Sequence, residues 1–257
     1  GSVLIGHSTT GTLNSSQNNT GVGIQALKNI TQGDNNVAIG KNAGGNINSG
    51  SQNIILGSSA GDALTNGSSN IAIGYVALTT EDGHGRNIAI GNQALLVQNA
   101  GQDAYNIAIG YDAGKSVTTG LFNTLIGGVA GDALTTGSRN VAIGYAALGT
   151  EDAHGQNVAI GFEALKDQNA GSNAHNVAVG YRRNVAIGHR SLTTQNAGTD
   201  AYNVAVGHDT GRYVSTGNLN VLLGGFAGDA LTTGSSNVAI GHEALSSEDG
   251  HGRNVAV

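Results

Sequence analysis

The sequence predicts an all-β fold, a parallel β-roll (β-solenoid) built from coils of about 17 residues. Three observations lead to this prediction. The string Asn-Val-Ala-Ile-Gly recurs from end to end of the 257-residue chain. Of the fifteen intervals between copies, eleven are 17 residues, three are 19 and one is 8. Within a copy, Val or Ile alternates with Ala, which is typical of a strand. A fixed period of this kind indicates stacked units that cannot bury their apolar faces alone.

We number the positions of each coil from the first residue of its motif. The copies begin at Ser2, Asn19, Asn36, Asn53, Asn70, Asn87, Asn106, Asn123, Asn140, Asn157, Asn176, Asn184, Asn203, Asn220, Asn237 and Asn254. They make residues 1–257 a single repeat domain. Because the chain begins at Gly1 and stops within a motif at Val257, we expect it to be a fragment of a longer fibre.

Composition narrows the possible functions. Gly accounts for 43 residues without a three-residue period, which excludes collagen, and the periodic 39% hydrophobic fraction argues against a disordered linker. The absence of Cys excludes disulfides and thiolate metal sites. The net charge is −6 and the Lys and Arg residues are scattered, so no nucleic-acid partner is expected. No apolar run approaches the ~20 residues that span a bilayer, so we expect no membrane insertion in this segment.

Positions 2 to 4 predict the first strand of each coil. Val37 and Ile39 are two residues apart, so both point to one face of a strand, and Ala38 points to the other. We expect Val37/Ile39-type side chains to be buried inside the coil. The Ala face then needs a cover, and an apolar stripe along a rod predicts lateral association of identical chains about a rotation axis.

The remaining positions predict a bend, a second strand and turns. Gly40 and its equivalents at position 5 indicate a bend or a close backbone approach. A second short strand is predicted at 75–78 and at 162–165, and polar turns such as 135–139 close the coil. A helical repeat fits poorly, because the Gly content is high and no apolar stripe at 3.6-residue spacing survives.

The recurring Asn at position 1 predicts a ladder. In stacked coils each side-chain amide can donate to the next and satisfy backbone groups of the turn. A row of ligand-binding amides is the alternative, but a residue that every coil requires favours the structural interpretation.

The coils also repeat in sets of four. Residues 36–105 correspond to 106–175, and an incomplete set runs from 176. The third coil of a set carries Glu-Asp-Gly/Ala-His-Gly, and the fourth carries Gln-Asn-Ala-Gly with two extra residues. These extra residues predict longer, protruding turns at 98–105, 168–175 and 195–202.

Two substitutions accompany this longer period. Coils with a large residue at position 3, such as Ile55 or Leu125, have a small residue at position 6. Coils with Ala at position 3 usually have a large residue at position 6, such as Tyr75. We expect the two positions to share one packed space. The apolar anchor of the second strand also shifts by three positions, from Leu78 in a third coil to Leu64 in a second coil.

The interval of 8 residues between Asn176 and Asn184 breaks the pattern. Asn176 opens a first coil, whereas Asn184 opens a fourth, so three coils totalling 51 residues are expected between them. The sequence therefore predicts that 43 residues are missing around 181–183.

The motif Asn-Val-Ala-Ile-Gly-x-x-Ala-Leu, followed by a Gly-rich turn, resembles the head repeats of YadA-type trimeric autotransporter adhesins. It is also similar to related repeats of bacteriophage tail fibres. The resemblance covers the chain from Ser2 to Val257. It implies a left-handed parallel β-roll, a homotrimer about a threefold axis and an extracellular adhesive or fibre role. The coils of 17 and 19 residues are longer than those usual in the family.

The Glu-Asp-Gly-His turns are the one recurrent cluster of ionisable residues. Glu81, Asp82 and His84 could meet a metal or act as an acid/base group. A solvated polar turn is the alternative that we favour, because nothing nearby completes a ligand set. We therefore expect no catalytic, cofactor or metal site, and no enzyme activity.

The expected function is a structural or adhesive fibre segment of an extracellular appendage, on a cell surface or a virion. Its partners would be two further copies of itself and a host or cell-surface glycan or protein, bound through repeated exposed turns such as those at Tyr105, His175 and Tyr202. The alternatives are a monomeric β-solenoid that binds a ligand or polysaccharide and a β-helical enzyme that processes one.

Overall fold

The computed structural model describes residues 1–5, 15–150, 152–166, 177–180, 184–192, 195 and 201–257. Parallel strands stack as a β-solenoid of about 13 turns with coils of about 17 residues. The residues that the structure describes contain no helix. The predicted all-β solenoid is therefore confirmed.

Each strand begins at position 2 of its coil and is three residues long, except the last, which has two. The strands are β1 Val3–Ile5, β2 Thr20–Val22, β3 Val37–Ile39, β4 Ile54–Leu56, β5 Ile71–Ile73, β6 Ile88–Ile90, β7 Ile107–Ile109, β8 Thr124–Ile126, β9 Val141–Ile143, β10 Val158–Ile160, β11 Val177–Val179, β12 Val185–Ile187, β13 Val204–Val206, β14 Val221–Leu223, β15 Val238–Ile240 and β16 Val255–Ala256.

The chain forms two compact units. The first runs from Gly1 to Ala159 and also includes Lys166. The second comprises Ile160–Leu165 and the residues from Val177 onward. In the first unit β1 to β9 pair in parallel and in chain order. In the second unit β12 to β16 pair in the same way. The register always matches equal coil positions, so each position forms a column along its sheet.

The interior of a coil is filled by the side chains of positions 3 and 8 and by position 9 or 12. Ala38 is fully buried, whereas Ile39 is 44% exposed. The prediction that Val37/Ile39-type side chains are buried is therefore wrong, and the two faces of the strand are exchanged. Seventeen residues enclose a narrow space, which the residue at position 3 fills together with the large side chain at position 9 or 12.

The segment after the strand is a series of tight turns rather than a second strand. Val76 and Leu78 both adopt left-handed backbone conformations, with φ of 49° and 51°. The Ala77 N–H donates to the Gly74 carbonyl 3.5 Å away, three residues back in the same coil. The N–H groups of Val76 and Leu78 donate to neighbouring coils, at 3.1 and 3.0 Å. The second strand predicted at 75–78 and at 162–165 is wrong, since both segments are turns, although the segment at 75–78 still joins adjacent coils by hydrogen bonds.

The bend predicted at position 5 is present. Gly40 has a φ of +134°, and a Cβ placed on it would lie 2.6 Å from the carbonyl oxygen of Gly57 in the next coil. Neither the dihedral angle nor this approach accommodates a side chain.

The predicted shift of the apolar anchor is confirmed, and it explains the long period of the core. Leu64 at position 12 and Leu78 at position 9 are both fully buried. Where position 12 supplies the anchor, position 9 is Gly, except in the coil from Asn19, which buries both Leu27 and Ile30 beside Gly21 at position 3. A Cβ on Gly61 would lie 3.1 Å from Cδ1 of Ile55, the large residue at position 3. Position 3 therefore shares its space with position 9. The predicted partner, position 6, lies outside, where Tyr75 is 56% exposed.

The Asn ladder is confirmed. The backbone N–H and the Nδ2 of Asn53 both donate to Oδ1 of Asn36, each at 3.0 Å. Nδ2 of Asn53 also donates to the Gly67 carbonyl at 2.9 Å, and the Asn70 N–H donates to Oδ1 of Asn53 at 2.9 Å. Every one of these amides is fully buried. The column thus links successive coils and closes the turn of each one.

The regular stack is interrupted after β11. From Gly23 to Gly161 and from Gly188 to Gly224 the position 5 Gly lies against its equivalent in the next coil, but Gly180 lies against the carbonyl oxygen of Asn184. The strands β11 and β12 belong to different sheets. Residues 181–183, where the sequence places the missing segment, lie outside the described residues.

Of the longer turns, only the first is described in full. Asn99, Gly101 and Gln102 are exposed there, as predicted. Residues 168–175 and 196–200 lie outside the part of the chain that the structure describes.

Candidate functional surface

The Glu-Asp-Gly-His turns bring their ionisable groups together. One potential ligand atom from each of Glu81, Asp82 and His84 lies within 4.8 Å of the others. The last copy of the turn is arranged in the same way, with Glu248, Asp249 and His251. In the middle copy Glu151 lies outside the described residues.

The glutamate of this turn points inward and caps it. The side chain of Glu81 is fully buried at position 12, and its Oε1 accepts a hydrogen bond of 3.2 Å from the His84 N–H. Oε2 has no hydrogen-bond partner among the described residues. Burial raises the pKa of this carboxyl, and the His84 N–H offsets part of that rise. Glu248 accepts the His251 N–H at 3.0 Å in the same way. The interpretation as a solvated turn is therefore wrong for Glu81, and its carboxyl has a structural role.

A third cluster forms between coils of the second unit. His189 and His208 stack at 5.1 Å between ring centroids, and Asp209 lies beside them. The Asp209 carboxylate is engaged by Arg190, with Nε to Oδ1 and Nη2 to Oδ2 both at 2.6 Å. Hydrogen bonding to Arg190 lowers the pKa of Asp209. A carboxylate held in this bidentate pair is a poor metal ligand, so this cluster is a salt bridge beneath two imidazoles.

Sequence reasoning missed this cluster, because its residues are far apart along the chain. The signal was available in the repeat register. His189 and His208 occupy position 6 of adjacent coils, so their stacking follows once equal coil positions are aligned.

The last residue of successive coils builds a second exposed column in the first unit. Tyr105 and Phe122 stack with 5.5 Å between ring centroids and an interplanar angle of 14°. The Arg86 guanidinium lies 5.4 Å from the Tyr105 centroid and that of Arg139 lies 5.7 Å from the Phe122 centroid. Arg86 also pairs with Asp103 at 2.7 Å. We call Arg86, Tyr105, Phe122 and Arg139 the aromatic ladder. Tyr105 was predicted to be exposed, and it is.

A further exposed surface is apolar. We call the side chains of positions 2 and 4 the valine–isoleucine face. These positions carry Val, Ile or Leu in every coil except for Thr20 and Thr124, and none carries a charge. In the first unit Val3, Ile5, Ile39 and Ile54 are exposed, and in the second unit Ile187, Ile240, Val255 and Val257 are. The other described members are partly exposed.

No helix in the described part of the chain is both long and apolar enough to cross a membrane. No protein-family model, no curated protein and no solved structure matches the chain, so the residues themselves carry the functional argument.

Proposed function

We propose that the chain is a segment of an extracellular adhesive fibre in which three copies associate side by side through the valine–isoleucine face. The observation that supports this is the exposure of that face: Ile39 and Ile54 are 44% and 41% exposed in a single chain. An exposed apolar surface without charge is typical of an interaction site.

A second copy of the same chain is the cover that fits best. Equal coil positions form columns within each sheet, so identical chains aligned in parallel present the same spacing of about 4.8 Å per strand. A partner of another kind would have no reason to share this spacing. The number three and the extracellular setting rest on the resemblance of the repeats to those of trimeric adhesins and tail fibres.

The adhesive part of the proposal rests on the exposed columns that the coils leave on their outer turns. The aromatic ladder presents rings and guanidinium groups from four successive coils. Three chains would repeat such a surface around the fibre, so that weak contacts to a glycan or surface protein add up to strong attachment.

The state of assembly is tested by sedimentation equilibrium of the purified protein. We expect a particle of three chains that does not dissociate on dilution. A particle with the mass of one chain, 25.6 kDa, would contradict the proposal and favour a monomeric ligand-binding solenoid.

Adhesion is tested by flow of protein-coated beads over surfaces that carry glycans or cell-surface proteins. We expect retention to fall by a factor on the order of 100 or more when the chain is made monomeric, because avidity is lost. Equal retention of monomer and trimer would contradict a multivalent adhesive role.

A further inference from the structure

A small polar cavity of about 210 Å³ lies beside one end of the aromatic ladder, within the first unit. It is lined by Thr136, Ser138, Arg139, Ala153, Gly155 and Gln156. These residues come from the closing turns of two adjacent coils. The volume lies below the roughly 300 Å³ at which pockets for drug-sized ligands begin, so it suits a group the size of one sugar ring.

Arg139 brings an available positive charge to this cavity. Its guanidinium lies against Phe122, and the described residues place no carboxylate within ion-pairing distance of it. Arg86, at the other end of the ladder, is by contrast paired with Asp103. A guanidinium stacked on a ring is held in place while its N–H groups remain free to bind a carboxylate with two parallel hydrogen bonds.

The other lining groups suit the hydroxyls of a sugar. The side chains of Thr136 and Gln156 are exposed and offer a hydroxyl and a carboxamide, which donate and accept hydrogen bonds. The hydroxyl of Ser138 is already used, because it accepts the Leu121 N–H at 3.0 Å and so fixes the wall of the cavity. The Gln156 N–H donates to the Ser138 carbonyl at 2.9 Å and joins the two coils.

The internal repeat shows that this combination is particular to the second set of coils. Ser69 and Ser236 stand at the position of Arg139, and Arg86 and Arg253 stand at that of Gln156. The packing of the turn therefore does not require arginine at 139. Asn173 replaces the equivalent of Asp103 in the same set, so the loss of arginine at 156 accompanies the loss of its carboxylate partner.

From these observations we propose that the cavity beside Arg139 binds the carboxylate-bearing ring of an acidic saccharide. Arg139 takes the carboxylate, and Thr136 and Gln156 take the ring hydroxyls. The inference deepens the proposed adhesive function by naming the chemical class of its surface ligand, and it rests on that function for its biological use.

The first experiment is an NMR titration of the full chain with D-glucuronate, with D-glucose and inorganic sulfate as comparison ligands. We expect chemical-shift changes at Arg139 and Gln156 that saturate as glucuronate is added. With glucose or sulfate these changes should be absent or much smaller. The variant Arg139→Ser should weaken glucuronate binding about tenfold or more, since it removes a charge-assisted contact. Serine at this position already occurs in two other coils, so the variant should fold.

The matched control is Arg86→Ser, which removes one positive charge from the same ladder but not from the cavity. It should leave glucuronate affinity within about twofold of the wild type, since exposed charges separated by more than about 10 Å are largely screened at 0.1 M salt. An equal loss of affinity in both variants would overturn the proposal in favour of general charge attraction.

A gain of function is tested by rebuilding the cavity in the first set of coils. The substitutions Gln52→Phe, Asn66→Thr, Ser69→Arg, Gly83→Ala, Arg86→Gln and Asp103→Asn reproduce the residues at 122, 136, 139, 153, 156 and 173. We expect the number of glucuronate sites per chain to rise from one to two. An unchanged number would overturn the assignment of these side chains to the site.

The remaining outcomes separate this inference from the proposed function. If the wild type adheres to surfaces but binds no glucuronate, or binds glucose or sulfate equally well, only the inference fails. If the protein is a monomer that binds glucuronate but does not adhere, the proposed fibre function fails and the cavity assignment stands.

Discussion

At the scale of single residues, the Asn at position 1 provides hydrogen-bond partners for backbone groups that the strands and turns leave without one. Its Oδ1 accepts the backbone N–H of the next Asn, and its Nδ2 reaches a turn carbonyl of its own coil. This role was predictable from the sequence, because a polar residue that recurs in every coil must meet a need that recurs in every coil.

Replacing Asn53 by Ala should therefore be strongly destabilising. The substitution removes the partners of the Asn70 N–H and the Gly67 carbonyl, which are buried. At about 1–3 kcal/mol for each unsatisfied group, the expected loss is roughly 2–6 kcal/mol. Urea unfolding followed by circular dichroism measures it.

The control for this prediction is Asn99→Ala in the exposed turn, which should change stability by less than about 0.5 kcal/mol. Similar urea midpoints for Asn53→Ala and Asn99→Ala would show that the buried Asn ladder contributes no more to stability than an exposed Asn does.

Glu81 could not be predicted in the same way. Its turn is polar in sequence, and a glutamate there is expected in solvent. The column at position 12 shows otherwise: Leu64 precedes Glu81 by one coil and Val117 follows two coils later, and all three positions point inward. The structure tolerates the carboxyl there because the neighbouring Leu78 at position 9 fills the space that the anchor would otherwise take.

Stability should depend on pH through Glu81. Burial raises the pKa of its carboxyl, so the folded state binds this proton more tightly than the unfolded chain does. The resulting stabilisation is fully present below the unfolded pKa of about 4.3 and is lost as pH rises through the higher folded pKa. Glu81→Gln should remove this loss, since Gln98 already occupies the same position in the next coil. Thermal midpoints should then favour the variant increasingly as pH is raised.

Glu248→Gln should behave with the opposite sign. Hydrogen bonds from the backbone and side chain of His251 lower the pKa of Glu248, so its contribution is present above the unfolded pKa and is lost as pH falls through the folded pKa. The variant should be less stable than the wild type near neutral pH and equal to it in acid. If the stability of both variants, relative to the wild type, changed in the same direction with rising pH, the assignment of opposite pKa shifts to Glu81 and Glu248 would be refuted.

At the scale of the coil, the sequence predicted the strand at positions 2 to 4 correctly and the segment after it wrongly. The left-handed conformations of Val76 and Leu78 are rare for such residues and leave no compositional trace. They persist because backbone hydrogen bonds to both neighbouring coils hold them. The two faces of the strand were exchanged for a different reason. The large side chains of the interior come from position 9 or 12, so the strand contributes its position 3 residue to the core and leaves positions 2 and 4 outside.

The packing of positions 3 and 9 predicts a rescue between two substitutions. Leu125 is buried against Gly131, where a Cβ would lie 2.8 Å from its Cδ2. Leu125→Gly should cost about 3 kcal/mol or more, and Gly131→Leu should also destabilise. The double variant reproduces the combination that the coil from Asn19 already uses, with Gly21 and Leu27 at these positions. It should be more stable than the sum of the two losses implies, by about 1–3 kcal/mol.

A double-mutant cycle measured by urea unfolding tests this rescue. The matched control pairs Leu125→Gly with Gly61→Leu, at position 9 of another coil, where a Cβ would lie against Leu64 and Ile55 rather than Leu125. These two losses should be additive. Strictly additive losses in the first pair would show that positions 3 and 9 do not share a space.

At the scale of the whole molecule, the repeat predicted the columns but not which surface they would expose. The period would also have placed His189 above His208 and Tyr105 beside Phe122, because residues at equal coil positions become neighbours, but neither pair of rings was predicted. It also located the interruption after β11, since the count of coils fails there. The cavity beside Arg139 was not predictable, because it depends on which side chains remain unpaired once the turns are stacked.

The exchange of the two strand faces changes the substitutions that test assembly. A charge at Ala142 or Ala159 would now be buried inside a coil and would disrupt the fold of each chain, so it does not report on association. The test belongs on the valine–isoleucine face. Ile39→Lys with Ile54→Lys places two charges on that face, where each side chain already contacts solvent in a single chain.

We expect this double variant to keep the β-rich circular dichroism spectrum of the wild type and to sediment as a single chain. Burying two lysines between chains costs several kcal/mol, whereas leaving them on the surface of one coil costs little. The control is Tyr75→Lys with Tyr111→Lys, which adds the same charge at exposed position 6 and should leave the three-chain particle intact. If the face variant remains trimeric while the position 6 variant dissociates, the chains associate through the position 6 column instead.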